Sequence, residues 1–237
     1  MSVEDKVICV AGATGRLGSV VAGMSVRAGA RVVLLGQSEE RLEALRSDLC
    51  LKGSHCLAFP VDAGDFHAVA PVMEAVAKQM GRIDVLFNTV GGYQGSAPLW
   101  ETPDEVWQTM WRLNVVSCVN LNRAVLPHML TGKWGRVVNI AAKTALEPRK
   151  NGAAYAAAKA AVIALTQTLA LELKGTGVTA NIVLPSVIDS PANRESMPGA
   201  DPNRWVRPAQ IAATMLFLCS DEAAAINGAA VPVYGQI

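Results

Sequence analysis

Seven apolar runs of strand length alternate with segments of helical periodicity along the whole chain, and this alternation admits few folds. The runs are Lys6–Ala11, Arg31–Leu35, His55–Pro60, Ile83–Asn88, Gly135–Ile140, Thr179–Leu184 and Ala229–Val233. Between them, helical patterns cover Leu17–Ala28, Glu39–Leu51, Asp65–Met80, Pro103–Leu130, Ala153–Lys174 and Pro208–Cys219. Strands separated by helices cannot pair as hairpins; they return parallel, with the helices covering both faces of the sheet. The expectation is an α/β fold: a doubly wound, seven-stranded parallel sheet with helices on both faces, in a single domain over residues 1–237. A composition 51% hydrophobic but only 5% aromatic agrees, because strands buried on both faces are filled by Val, Ile, Leu and Ala. No internal repeat or linker divides the pattern. The least regular segment, residues 186–207, follows the sixth strand, at the sheet end where ligands bind in such folds.

Charge and cysteine usage narrow the partners. A formal net charge of +1 supplies no field for nucleic acid or an anionic membrane. The polar start, with Glu4 and Asp5, lacks the layout of a signal peptide, and Lys159, Gln167 and Glu172 interrupt the Ala-rich stretch 153–173, which reads as a buried helix; a cytoplasmic location is expected. Cys9, Cys50, Cys56, Cys118 and Cys219 are scattered as reduced apolar fillers would be. His55 near Cys50 and Cys56 has no second ligand pair, so no metal is expected.

The chemistry-bearing residues sit at strand ends. The first strand runs into Gly12-Ala13-Thr14-Gly15-Arg16-Leu17-Gly18 and then a helix, where glycines permit a tight turn and close approach of backbone to a pyrophosphate; the alternative is a merely tight turn. Asp62, beside Ala63 after the third strand, is placed to accept from an adenine amino group or to cap a helix. Asn88-Thr89-Val90-Gly91-Gly92 after the fourth strand offers small residues for a nicotinamide ribose, or a glycine turn. Tyr155 and Lys159, four apart on one helix, share a face, and a nearby ammonium favours the phenolate and lowers the Tyr pKa.

Taken together, Gly12 to Gly18, Asn88 to Gly91, Asn114, Tyr155-xxx-Lys159 and Pro185 to Ser190 resemble the short-chain dehydrogenases/reductases over nearly the whole chain. The resemblance implies a Rossmann-type NAD(P)(H) enzyme in which Tyr155 donates the proton, Lys159 binds the nicotinamide ribose and tunes Tyr155, Asn114 supports a proton-relay water, and Pro185, Ile188 and Ser190 flank the nicotinamide. It also implies a homodimer or homotetramer, to which the small residues of the helices carrying Tyr155 and Asn114 are suited.

Two positions depart from the family. The hydroxyl that polarises a substrate carbonyl comes from a Ser thirteen residues before the Tyr; here that residue is Ala142, with Thr144 a nearby substitute and Tyr93 a further substrate-side residue. Ala142 to Leu146, together with Asn193 to Trp205, resembles the dihydropteridine reductase-like members, whose quinonoid substrates need less polarisation. The expected reaction is therefore hydride transfer to a small conjugated imine, quinonoid ring or carbonyl. A ketone/alcohol dehydrogenase is one alternative and a cofactor-binding regulator without turnover another, against which intact Tyr155, Lys159 and Asn114 weigh. The second departure is Gly36, where an acid would select NADH. With Gly36, Gln37 and Ser38 there, and Arg16 expected across the cleft to meet a 2′-phosphate, NADP(H) is expected over NAD(H).

Overall fold

The computed structural model describes residues 3–49, 56–95 and 97–237. Its strands are β1 (Val7–Ala11), β2 (Arg31–Gly36), β3 (Cys56–Pro60), β4 (Val85–Asn88), β5 (Gly135–Ile140), β6 (Val178–Pro185) and β7 (Ala230–Val233). They form one parallel sheet in the order β3-β2-β1-β4-β5-β6-β7. The winding direction reverses between β1 and β4, which opens a crevice at their carboxyl ends.

The helices are α1 (Arg16–Arg27), α2 (Glu39–Leu49), α3 (Phe66–Met80), α4 (Asp104–Trp111), α5 (Ser117–Thr131), α6 (Ala153–Glu172), α7 (Pro191–Ser196) and α8 (Pro208–Leu218). Because successive strand residues face opposite ways, the sheet divides the core in two. Ile8, Val10, Val32, Leu34 and Phe87 pack with Val21 of α1 and Ile211 and Met215 of α8. Val7, Cys9, Val33, Leu35 and Leu86 pack with Val69 and Met73 of α3 and Leu121 and Val125 of α5. By length and hydropathy α6 could cross a membrane; here it packs on β5, β6 and α4.

The strand alternation thus appears as expected, with local differences that have local causes. β4 begins at Val85 rather than Ile83, since the buried Asp84 carboxylate accepts from the Val7 amide (2.8 Å) and the Arg82 side chain (2.7 Å). The expected single helix 103–130 widens into a π-helical turn, Arg112–Val116, between α4 and α5. There the Asn114 Nδ2 donates to the Met110 carbonyl (2.9 Å) and to the Gly92 carbonyl (3.2 Å), tying the helix to the loop after β4. Segment 186–207 contains α7 and a 3₁₀ turn at Pro202–Arg204, and is anchored by an Ile188–Val206 bridge. Cys9, Cys118 and Cys219 are free and buried, whereas Cys56 is disulfide-bonded, against the expectation of a reduced thiol. Cys50 and His55 lie outside the described residues.

Beneath the crevice lies a buried polar lattice. Asn88 and Asn122 both donate to the Asn139 Oδ1 (3.1 and 3.3 Å), and Asn139 donates to the Thr166 hydroxyl (3.0 Å). It joins β4, β5, α5 and α6 directly behind the crevice. Asn139→Ala removes the acceptor for the Asn88 amide and the donor to the Thr166 hydroxyl, while Asn122 keeps its bond to the Cys118 carbonyl (2.6 Å). It should lower unfolding free energy by about 2–3 kcal/mol in denaturant melts, and a loss below about 0.5 kcal/mol contradicts this role for the lattice.

Candidate functional site

The crevice starts at the turn from β1 into α1. Gly12 adopts φ +76°, and its amide and that of Ala13 both donate to the Leu35 carbonyl (3.0 Å each). A Cβ on Gly18 would lie 2.1 Å from the Gly12 carbonyl oxygen, so α1 rises from the turn with no room for a methyl group. The first i→i−4 bond of α1 is from Ser19 to Gly15 (3.0 Å), which leaves the amides of Arg16, Leu17 and Gly18 for a ligand. The N-cap Gly15 has no capping side chain, and no acid stands in the first turn. That end suits an anion.

Two pockets meet at this turn, sharing Gly15, Thr89, Val90 and Gly91. The first, about 330 Å³, lies over the ends of β2 and β3. Gly12, Thr14, Gly36, Gln37, Ser38, Asp62 and Ala63 line it, as do Arg41 and Arg112. The Arg41 guanidinium donates to the Thr14 carbonyl (2.8 Å), and its amide donates to the Ser38 hydroxyl (3.3 Å). Asp62 accepts from the Gly64 amide (2.8 Å), Gln37 (3.3 Å) and Arg112 (2.5 Å). Partial burial alone would raise the Asp62 pKa; these donors more than offset it and hold the carboxyl below its ordinary value.

The second pocket, about 750 Å³, lies over β5 and β6. Arg16, Leu17, Gly18 and Tyr93 line it from one side, and Ala142, Thr144, Tyr155, Lys159, Pro185, Ile188 and Ser190 from the others. One turn of α6 carries Tyr155 and the buried Lys159, whose Nζ donates to the Ile140 carbonyl (3.0 Å) and lies 5.9 Å from the Tyr155 ring centre. Burial pulls Lys159 down to about 8. Tyr155 moves the other way: burial, then the neighbouring Tyr93, push it up to about 12. The two rings meet edge to face at 5.1 Å. The expected lowering of Tyr155 by the ammonium is therefore absent in this arrangement, where burial and Tyr93 both raise it. Asn88 and Asn114 line neither pocket and sit behind the crevice, Asn88 in the buried lattice and Asn114 in the π-turn.

Arg16 does not lie where the sequence placed it. It lines the second pocket, within electrostatic reach of Asp189, whose carboxylate is held by Arg194 (2.7 and 2.9 Å). The guanidinium beside Gly36 to Ser38 belongs to Arg41. Its place in the first turn of α2, just after Gln37 and Ser38, was the available signal. Arg112 had none, because it reaches Asp62 only through the tertiary fold. Thr144 lines the pocket beside Ala142, but its hydroxyl is enclosed and makes no hydrogen bond.

Residues 6–201 match the family model described as short chain dehydrogenase. The chain is 34% identical to a meso-2,3-butanediol dehydrogenase of Serratia marcescens, covering 99% of this chain and 95% of that one. It is 31% identical to a D-threitol dehydrogenase of Mycolicibacterium smegmatis, covering 98% and 93%. The crystal structure of an NAD+-bound xylitol dehydrogenase superposes with a TM-score of 0.91 at 26% identity, over 98% of each chain. The chain belongs to the short-chain dehydrogenase/reductase family and is an NAD(P)-dependent oxidoreductase.

The upward shift of Tyr155 can be read directly. In the cofactor-free protein, the ultraviolet tyrosinate signal of wild type minus Tyr155→Phe should appear only near pH 12. A component titrating below the ordinary tyrosine value of about 10 contradicts the assigned environment.

Proposed function

We propose that this oxidoreductase transfers hydride to a small, electron-poor C=O or C=N group, with Tyr155 as proton donor and NADPH as the preferred cofactor. The glycine turn fits a dinucleotide, since a Cβ at Gly18 would fill the cradle and the α1 amides meet a pyrophosphate. Gly12, Thr14, Gly15, Arg16, Leu17 and Gly18 would hold the pyrophosphate, and Gly36, Gln37, Ser38, Asp62 and Ala63 the adenosine. Thr89, Val90, Gly91, Pro185, Ile188 and Ser190 would flank the nicotinamide half, with Asn88 bracing the loop from behind through the Val90 amide (3.2 Å). Bound there in its reduced form, the cofactor supplies the hydride.

The protein's own part is protonic and electrostatic. A Tyr155 pKa pushed up to about 12 keeps the phenol protonated across the working range, so it can hand its proton to the substrate oxygen or nitrogen as hydride reaches the adjacent carbon. The buried Lys159 ammonium, charged below about pH 8, steadies the phenolate that remains and binds the ribose. Asn114, held to the Gly92 loop, supports the water that returns a proton to this pair.

The substrate reading rests on Ala142. Neither it nor the enclosed Thr144 supplies a polarising hydroxyl, which favours an acceptor already electron-poor: a conjugated imine, a quinonoid ring such as a dihydropterin, or a carbonyl activated by a neighbouring oxygen. A dehydrogenase for vicinal diols or hydroxyketones is the second reading, favoured by the butanediol and threitol activities for which two relatives are named. A homodimer or homotetramer belongs to the same reading, supported by exposed Trp100 and Trp111.

The preference for NADPH is carried by Arg41, which stands with Gln37 and Ser38 beside Gly36, while Asp62, the one carboxylate lining this pocket among the described residues, is held by Arg112. Following cofactor oxidation with a panel of dihydropterin, quinone, diketone and simple ketone acceptors tests the whole reading. Tyr155→Phe should lose at least about a thousandfold in kcat while binding cofactor as wild type does. Arg41→Ala should reduce NADPH efficiency about tenfold or more and spare NADH, whereas Arg16→Ala should affect both cofactors alike. Normal turnover in the Tyr155 variant, or equal losses for both cofactors in the Arg41 variant, contradicts the assignment.

A further inference from the structure

Asp62 has three donors in the ligand-free protein: the Gly64 amide and Gln37 on Oδ1, and Arg112 on Oδ2. A carboxylate offers about four lone-pair positions, so Asp62 is largely occupied before any ligand arrives. The residue that depends on it is Arg112. A Cβ on Gly64 would fall 2.9 Å from the Arg112 Cζ and 3.1 Å from its Nε, so the absence of a side chain at Gly64 is what lets the guanidinium rest against the backbone of the turn. The turn itself is fixed from behind, where the buried Asn120 donates to the Ala63 carbonyl (3.0 Å). Pinned at one edge by Asp62 and backed by Gly64, the guanidinium is 57% exposed and lines the first pocket.

We infer that Arg112 is the base-recognition residue of this pocket: its guanidinium face stacks on the adenine ring, and Asp62 serves as its anchor rather than as the acceptor for the adenine amino group. This rests on the reading that the adenosine half of the dinucleotide occupies the first pocket. A planar, weakly hydrated guanidinium held by its edge is suited to stacking on a π-face. Recognition through the face of a purine is indifferent to the substituent at its sixth carbon, whereas recognition by a free carboxylate would require the amino donor there. The two arrangements therefore differ in a property that binding alone reveals, with no substrate needed.

The test is calorimetric binding of NADPH and NADH, and of their hypoxanthine counterparts, to the full chain and to Arg112→Ala and Arg112→Lys. In wild type, each hypoxanthine cofactor should bind within about threefold of its adenine parent. Arg112→Ala should weaken adenine and hypoxanthine cofactors alike, by about fivefold to tenfold. Arg112→Lys keeps the partner charge for Asp62 but lacks the planar face, so it should bind as weakly as the Ala variant. A wild-type preference for adenine of tenfold or more overturns the inference and needs no variant to fold; full recovery by Lys overturns it as well. Failure of wild type to bind any of the four overturns both this inference and the dinucleotide reading beneath it, whereas discrimination between the bases overturns this inference alone.

Discussion

The contact on which the rest of the molecule depends is the approach of α1 to the end of β1, so close that the Gly18 position tolerates no Cβ beside the Gly12 carbonyl. Thr89 closes the same joint from β4, its hydroxyl donating to the Ala11 carbonyl (2.6 Å). Together they set the two central strands side by side and aim the open amides of α1 into the crevice between them. The two pockets share this joint, which allows one elongated, anionic-centred ligand to occupy both. A methyl group at Gly18 would therefore disturb packing and ligand recognition together.

Burial sets the chemistry in the second pocket. Lys159 stands on the core side of α6, donating to the Ile140 carbonyl, and burial lowers its proton affinity. Tyr155 gains proton affinity for the same reason, with the sign reversed because its charged form is an anion. These opposed shifts leave a neutral phenol beside an ammonium, the pair that the proposed reaction uses to deliver a proton. Under the proposed reaction, the missing hydroxyl at Ala142 moves the burden of polarisation to the acceptor.

Much of this was legible in the chain. Buried parallel strands must be nearly continuous apolar runs, so the seven strands were found within two residues of their ends, and the spacing of Tyr155 and Lys159 puts both on one helical face. What escaped depends on distances that no local pattern encodes. Arg16 and Arg41 are both basic residues near a glycine-rich turn, and only the path of α2 decides which of them lies beside Gly36. The π-turn arises from Asn114 reaching the Gly92 loop, a contact between segments 22 residues apart. The direction of the Tyr155 shift turned on desolvation, which sequence spacing does not report.

The central claim is that one continuous groove holds a dinucleotide with its anionic middle on the opening amides of α1. Calorimetric titration of NADPH into wild type and into Gly18→Ala, each first shown by circular dichroism to be folded, tests it most directly. The account predicts a saturable one-site isotherm for wild type and a loss of at least about a hundredfold in affinity for the variant, since the added methyl must displace the turn that presents those amides. Equal binding by the two proteins, or none by wild type, contradicts it.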